Sequence, residues 1–331
     1  MNNPFPKSAS SIQKCRMLQD VVDHRDSVGV LINADPDAMA SALALKRLFW
    51  RRAKKVQIFH INTIKRADNL AMIRLLKIEQ KHIRKMKIQD ITKWAIIDSQ
   101  PHHNELFEKY KYDIIIDHHP VNLLSTGQFV DIREDYGAAS TILTEYLRAA
   151  DIKPSPTLAT ALFYGIKTDT DNFIRSSTSH DINAFRYLYQ YVNINIIKKI
   201  EASEMTRNSL ENFKAAMDRL VMYKDIAFIH MGKVKNPDIL VIIADFFLKM
   251  VEVSWSVVSG VYGNKFVIIF RNASFRIDAG RVAQRLFGQF GSAGGHKNAA
   301  RAELPVEALD FDPASEPNGR DFVLGRLRML K

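Results

Sequence analysis

The stretch IIIDHHP, Ile114 to Pro120, sets an Asp and two consecutive His directly after the kind of apolar run that forms a strand buried on both faces. Alone, the cluster reads more readily as a polar strand end with satisfied histidines than as a metal site, because His is a common metal ligand but more often none. The surrounding text decides between the two. Outward from it, SVGVLIN (27–33), KVQIFHI (55–61), KWAIID (93–98) and YDIIIDHH (112–119) read as strands. Between and after them, DAMASALALKRLFWRR (37–52), NLAMIRLLKIEQ (69–80), HHNELFEKY (102–110) and GAASTILTEYLRAA (137–150) have apolar residues at helical spacing. That alternation predicts an α/β fold, a parallel sheet with helices on both faces.

Each strand ends in polar residues of one kind. NADPDA follows the first, DSQPHH the third and DHHP the fourth, and the helix PTLATALFYGIKTDTDNF (156–173) ends in TDTDNF. Ligands of open α/β sheets bind outside the carboxyl ends of the strands, so Asp35, Asp37, Asp98, Asp117, His118 and His119 are expected along one edge, with Asp169 beside them. Unpaired carboxylates at that density repel one another and resist burial, and divalent cations relieve both costs.

The chain has 331 residues, enough for about two domains. A polar text from about residue 184 to 222, without Gly or Pro, reads as helices joining them. Beyond it, YKDIAFIHMG, VSWSVVSGVYGNKFVIIFRNA and AARAEL read as strands, NPDILVIIADFFLKM and DAGRVAQRLFGQF as helices, and GSAGGHKNAA (291–300) as a Gly-rich turn between helix and strand. The expected division is a first domain at 1–190, a helical linker at 191–222 and a smaller α/β domain at 223–331.

Composition narrows the function classes. The single cysteine, Cys15, rules out an internal disulfide and a cysteine-cage zinc site, so any metal ligands are carboxylate and imidazole. The polar start MNNPFPKSASSIQKCRMLQD lacks the pattern of a signal peptide, which predicts a cytoplasmic protein. The longest apolar region is broken by Asp245, Lys249 and Glu252 and reads as core, so no membrane partner is expected. The net charge of +11 favours a polyanionic partner. The basic segments KRLFWRRAKK and KIEQKHIRKMK read first as solvated helix ends.

NADPDAMASALAL, IIDSQP, IIIDHHP and GIKTDTDNF, in this order, closely resemble the successive motifs of the DHH phosphoesterase superfamily, and GSAGGHKNAA resembles the Gly-Gly-His signature of the DHHA1 domain that follows in one branch, including RecJ-related and oligoribonuclease or nucleotide bisphosphate phosphatase-like proteins. The resemblance implies an active site in the cleft between a DHH and a DHHA1 domain and a two-ion centre, usually manganese, with magnesium as the alternative. Carried over motif by motif, Asp98 bridges the ions, Asp35 serves the first, and Asp37, His118 and Asp169 serve the second. Asp117 then orients the histidines and His119 faces the substrate phosphate, so that His119, Asp117 and Asp98 form the catalytic set, while Arg271, Gly294, Gly295 and His296 bind substrate. One departure stands out: the family's first motif opens with His two positions before the Asn, and this chain has Leu31 there, which weakens the first metal position. His102 and His103 are the nearby imidazoles that could compensate.

The expected activity is metal-dependent hydrolysis of short oligoribonucleotides or small nucleotides, at a phosphodiester or at the 3'-phosphate of a nucleotide bisphosphate. No specificity for long DNA is inferred, and the oligomeric state is left open. The alternatives are a pyrophosphatase or exopolyphosphatase of the same superfamily, against which the His296 loop speaks, and a catalytically impaired nucleotide sensor, against which the complete set of carboxylates speaks.

Overall fold

A computed structural model describes residues 9–85, 90–121, 125–174, 177–203, 207–274 and 277–329. The chain divides into two compact units, Met1–Glu204 and Met205–Lys331.

The first unit is built on six parallel strands: β1 (Ser27–Ile32), β2 (Lys55–His60), β3 (Lys81–His82), β4 (Lys93–Ile97), β5 (Ile114–Asp117) and β6 (Phe129–Ile132). Its helices are α1 (Ala9–Asp20), α2 (Pro36–Leu48), α3 (Ala67–Leu76), α4 (Glu105–Glu108), α5 (Ala139–Ala149), α6 (Pro156–Asp169), α7 (Ser179–Tyr189) and α8 (Ile194–Glu201). The strand order is β3-β2-β1-β4-β5-β6. The chain therefore runs from β1 out to one edge, returns to the other side of β1, and leaves a switch point between the ends of β1 and β4, where open sheets leave a crevice. Every residue of β1 is buried, as its unbroken apolar text requires. Leu31 pairs with Ile96 and Ile96 with Ile115, and the three pack with Phe59 and Phe107 on one face. The opposite face carries a larger core with Val30, Ile97 and Ile116 under the helices. Each fully buried aliphatic side chain contributes about 1.5–3 kcal/mol.

Two strands escape the apolar reading. β3 is two polar residues long, and β6 alternates buried and exposed positions, as an edge strand does when one face meets solvent.

The second unit opens with α9 (Arg207–Asp218) and holds β7 (Leu220–Tyr223), β8 (Ile226–Lys233), α10 (Asp238–Phe247), β9 (Trp255–Tyr262), β10 (Lys265–Asn272), α11 (Ala279–Phe287), β11 (Ser292–Gly295), β12 (Ala299–Pro305) and α12 (Asn318–Leu327). Its sheet has the order β11-β12-β10-β9-β8-β7, antiparallel except between β8 and β9. Residues 220–222, read as the end of helical text, begin β7. The Gly-rich segment is not a turn but strand β11, and the reversal falls at His296–Asn298. Close packing explains Gly280 and Gly295, whereas a Cβ on Gly294 would meet open space. A Cβ on Gly280, in the first turn of α11, would lie 2.5 Å from the Gly295 carbonyl oxygen, and Gly295 itself has φ +151, a conformation side chains rarely adopt.

Candidate metal centre

Register brings the acidic strand ends level. Asp98 follows β4 and donates its N–H to the Ile116 carbonyl at 2.9 Å, next to Asp117 at the end of β5. Its φ is +58, in the left-handed region that Asp and Asn tolerate better than most residues. Asp35 caps α2, its Oδ1 accepting from Ala38 N at 2.9 Å, with Pro36 as the first helical residue. The loop before it is held by Asn62, whose amide accepts from Ala34 N and donates to Ala34 O.

Asp37, Asp98, His118 and Asp169 each offer one ligand atom, all within 4.8 Å of one another. Asp98, His118 and His119 form a second such group, and His103, Asp117 and His119 a third. Asp35 belongs to none of these groups among the described residues, but its carboxyl feels the Asp169 and Asp37 charges.

The electrostatic load is heavy. Burial, and then the Asp169 charge, push the Asp35 carboxyl up to about 7 and the Asp37 carboxyl up to about 6. Burial and the Asp35 and Asp37 charges raise Asp98 well above the carboxylate range. Burial alone would lower His118, yet Asp169 and Asp98 drive it up to about 12. Asp37 is fully buried and lies against the start of α5, accepting from Ala139 N at 2.7 Å and Ser140 N at 2.8 Å.

His118 Nδ1 lies 3.1 Å from the Tyr136 carbonyl oxygen, an acceptor, so that nitrogen carries the proton in the neutral ring. Nε2, which has a lone pair only in the neutral ring, lies 3.2 Å from Asp98 Oδ1 and 3.0 Å from Asp169 Oδ2, so without a cation a proton must sit between them, as the raised His118 value expresses. Asp98 Oδ1 and His118 Nε2 are both buried without a hydrogen-bond partner. Acceptors that face one another in a buried site need a proton or a cation between them, and an oxygen- and imidazole-binding divalent cation fits this donor set.

Asp117, fully buried, has a different job. Its Oδ1 accepts from His119 Nδ1 at 2.8 Å and its Oδ2 from Gln100 Nε2 at 2.7 Å. Against the effect of burial, those bonds hold its carboxyl at about 2. The His119 side chain remains 45% exposed, and its bond to Asp117 raises its pKa.

In the second unit, Arg271, Gly294 and Gly295 line a cavity of about 250 Å³ together with Arg301. Arg271 Nε donates to Asp245 Oδ1 at 2.5 Å. His296 is exposed on the hairpin turn, its N–H donating to Ala299 O. Sequence reading passed over Gln100, Asn62, Tyr136 and Asp245. Gln100 stands in the quoted DSQPHH, and Asp245 entered only as a charge that breaks the longest apolar region.

Comparison with known proteins places the chain. Residues 27–166 match the DHH family N-terminal domain and residues 221–311 the DHHA1 domain. The chain is 39% identical over 276 residues to an uncharacterized protein of Methanocaldococcus jannaschii, covering 83% of this chain and 57% of that one, so it spans little more than half of that relative's length. The fold is similar to that of an exopolyphosphatase-related protein from Bacteroides fragilis, with a TM-score of 0.71 at 15% identity over 98% of each chain. It is also similar to RecJ from Thermus thermophilus in complex with Mn2+, with a TM-score of 0.53 at 12% identity over 98% of this chain and 56% of that one. Among the described residues no helix is long and apolar enough to cross a membrane. With both domains in order and the acidic strand ends gathered, the chain belongs to the DHH phosphoesterase superfamily, a DHH domain followed by DHHA1.

Proposed function

We propose that this chain is a metal-dependent phosphoesterase acting on short oligoribonucleotides or small nucleotides, at a phosphodiester or at the 3'-phosphate of a nucleotide bisphosphate. The observation that carries the reading is that Asp98 Oδ1 and His118 Nε2 face one another, buried, inside a group of four potential ligands, where either a proton or a cation must lie between them. Asp37, Asp98, His118 and Asp169 would hold one ion, and Asp35 with Asp98 a second, weaker one, because Leu31 offers no ligand. Divalent ions, manganese or magnesium, supply charge neutralisation at the phosphoryl group and activation of the attacking water. Asp117 fixes the His119 ring and favours its protonated form, from which His119 donates to the substrate phosphate at an exposed position. In the second unit, Arg271, Gly294, Gly295 and His296 are proposed as substrate-binding residues, Arg271 through the planar donor fork that suits phosphate.

Product analysis by mass spectrometry tests this. Short RNA, a nucleotide bisphosphate and polyphosphate are each offered with manganese and with magnesium. Metal-dependent release of mononucleotide or of the 3'-phosphate is expected. Turnover of polyphosphate alone would replace the reading with that of an exopolyphosphatase, and binding without turnover would replace it with that of a sensor.

A further inference from the structure

We infer that His103 is a substrate-binding residue of this site, an imidazole N–H donor that works beside His119 and favours a terminal phosphoryl group over an internal diester. The inference rests on the phosphoesterase reading and narrows its substrate class.

The turn Pro101–His103, a 3-10 helix, follows the Asp98 strand end. Gln100 caps it, and His103, three residues on, reaches back. Its Nδ1 accepts the Gln100 backbone N–H at 3.2 Å. An imidazole whose Nδ1 accepts carries its proton on Nε2, so His103 offers a donor there. Its ring is packed edge-on by His102 at 4.4 Å and by His119 at 5.4 Å. Gln100 also donates from its side chain to Asp117, which in turn accepts from His119. One buried glutamine therefore sets both imidazoles, His103 through its backbone and His119 through Asp117.

His103, Asp117 and His119 stand close enough to be taken for a third cation site. The hydrogen bonds argue otherwise. Both Asp117 oxygens already accept, and His119 Nδ1 and His103 Nδ1 are both engaged. Two ring edges remain, exposed beside the metal group that Asp98, His118 and His119 form. The His103 edge carries an N–H, and an N–H donor at an exposed edge suits an anion. A terminal phosphoryl group has three unshared oxygens and an internal diester two, so a donor beyond His119 and the ions adds most to the former.

Steady-state kinetics on wild type, His103→Ala and His103→Gln test the inference, using a nucleotide 3',5'-bisphosphate and a short RNA with manganese. For His103→Ala, kcat/KM on the bisphosphate should fall by about tenfold or more, as expected for a lost charge-assisted hydrogen bond, and clearly less on the RNA. Glutamine, which can place an N–H near the Nε2 position, should recover part of the loss. Manganese affinity by calorimetry should be unchanged in both variants. No loss, equal losses on the two substrates, or a fall in manganese affinity would each overturn the inference. A wild type inactive on both substrates would instead remove the phosphoesterase reading itself.

Discussion

His118 Nε2 and Asp169 Oδ2 lie 3.0 Å apart although 51 positions separate them in sequence, one at the end of β5 and the other at the last residue of α6. The Tyr136 carbonyl turns the ring, and the apolar cores under β5 and α6 bring the two together. Without a cation the site holds protons in its place, which is what the raised Asp35, Asp37, Asp98 and His118 values express. Metal binding must then release protons, so affinity should fall as pH drops.

Asp98→Asn separates charge from backbone geometry, because Asn tolerates the left-handed φ of +58 while Ala would add strain. Hydrolysis should be abolished, and manganese should no longer raise the melting temperature. The metal-free protein should melt no lower than wild type, since one member of a repelling carboxylate group is gone. Metal-dependent turnover by a pure Asp98→Asn preparation would sink the two-ion reading.

Gly165, inside α6, lets that helix approach Asp37. A Cβ there would stand 2.5 Å from Ser140 Oγ and 3.1 Å from the Asp37 Cα. Alanine in a helix interior normally gains about 1 kcal/mol over glycine, but here the contact dominates. Gly165→Ala should destabilise the protein and weaken manganese binding together. Adding Ser140→Ala, which removes the nearest atom, should restore part of both. Calorimetric metal titration and thermal melting of the single and double variants measure it.

The fold was legible where burial left a continuous apolar signature. β1, β4 and β5 sit in the middle of their sheet and show it, and the acidic residues just past them mark the site. β3 and β6 are edges with short or mixed text. Gly294 and Gly295 read as turn residues because glycine marks both turns and close backbone approach; Gly295 packs against Gly280, while Gly294 has open space and is placed by its pairing with β12 alone. Residues that hold the site from behind were invisible for a similar reason. Gln100 and Asn62 act through hydrogen bonds to residues that only folding brings near, and Tyr136 meets His118 with a carbonyl oxygen that every residue has.

Arg133 anchors the turn that presents Tyr136. Its Nη2 lies 2.8 Å from Asp131 and its Nη1 2.7 Å from Glu145, with all three side chains largely buried. Arg133→Met would leave two carboxylates short of their main partner and should cost about 3 kcal/mol or more in urea unfolding. Lys14 on Asp131 and His180 near Glu145 limit the loss. A change below about 0.5 kcal/mol, the usual scatter for surface substitutions, would show that the network is not coupled to folding.

His230, in β8 of the second unit, is almost fully buried with its Nδ1 3.0 Å from Ser259 Oγ. Burial lowers its pKa to about 4 from 6.5. The folded form thus binds fewer protons than the unfolded form between those values, so stability is full above pH 6.5 and is lost as pH falls toward 4, by about 3 kcal/mol at most. His230→Gln should flatten that part of the stability profile, measured by denaturant unfolding across the same window.

On the proposed two-ion reading, Leu31 sets how many ions bind tightly. Its side chain is fully buried in an apolar cluster with Phe59, Ile96 and Ile115, so it gives nothing to a cation. The four-member group of Asp37, Asp98, His118 and Asp169 should hold one ion tightly, and the position served by Asp35 should fill only at higher metal concentration. Calorimetric titration of the wild type with manganese should resolve two unequal steps, and activity should require metal in excess of the first. Leu31→His sets an imidazole where the superfamily's first motif carries one. It should tighten the weak step while lowering the metal-free stability by about 2 kcal/mol or more, because a polar ring then sits among apolar side chains without a partner. The gain in activity should be smaller than the gain in affinity, since no neighbouring group is in place to orient the new ring. Two equally tight ions in the wild type would show that another side chain already completes the first position, and the incomplete-site reading would be wrong.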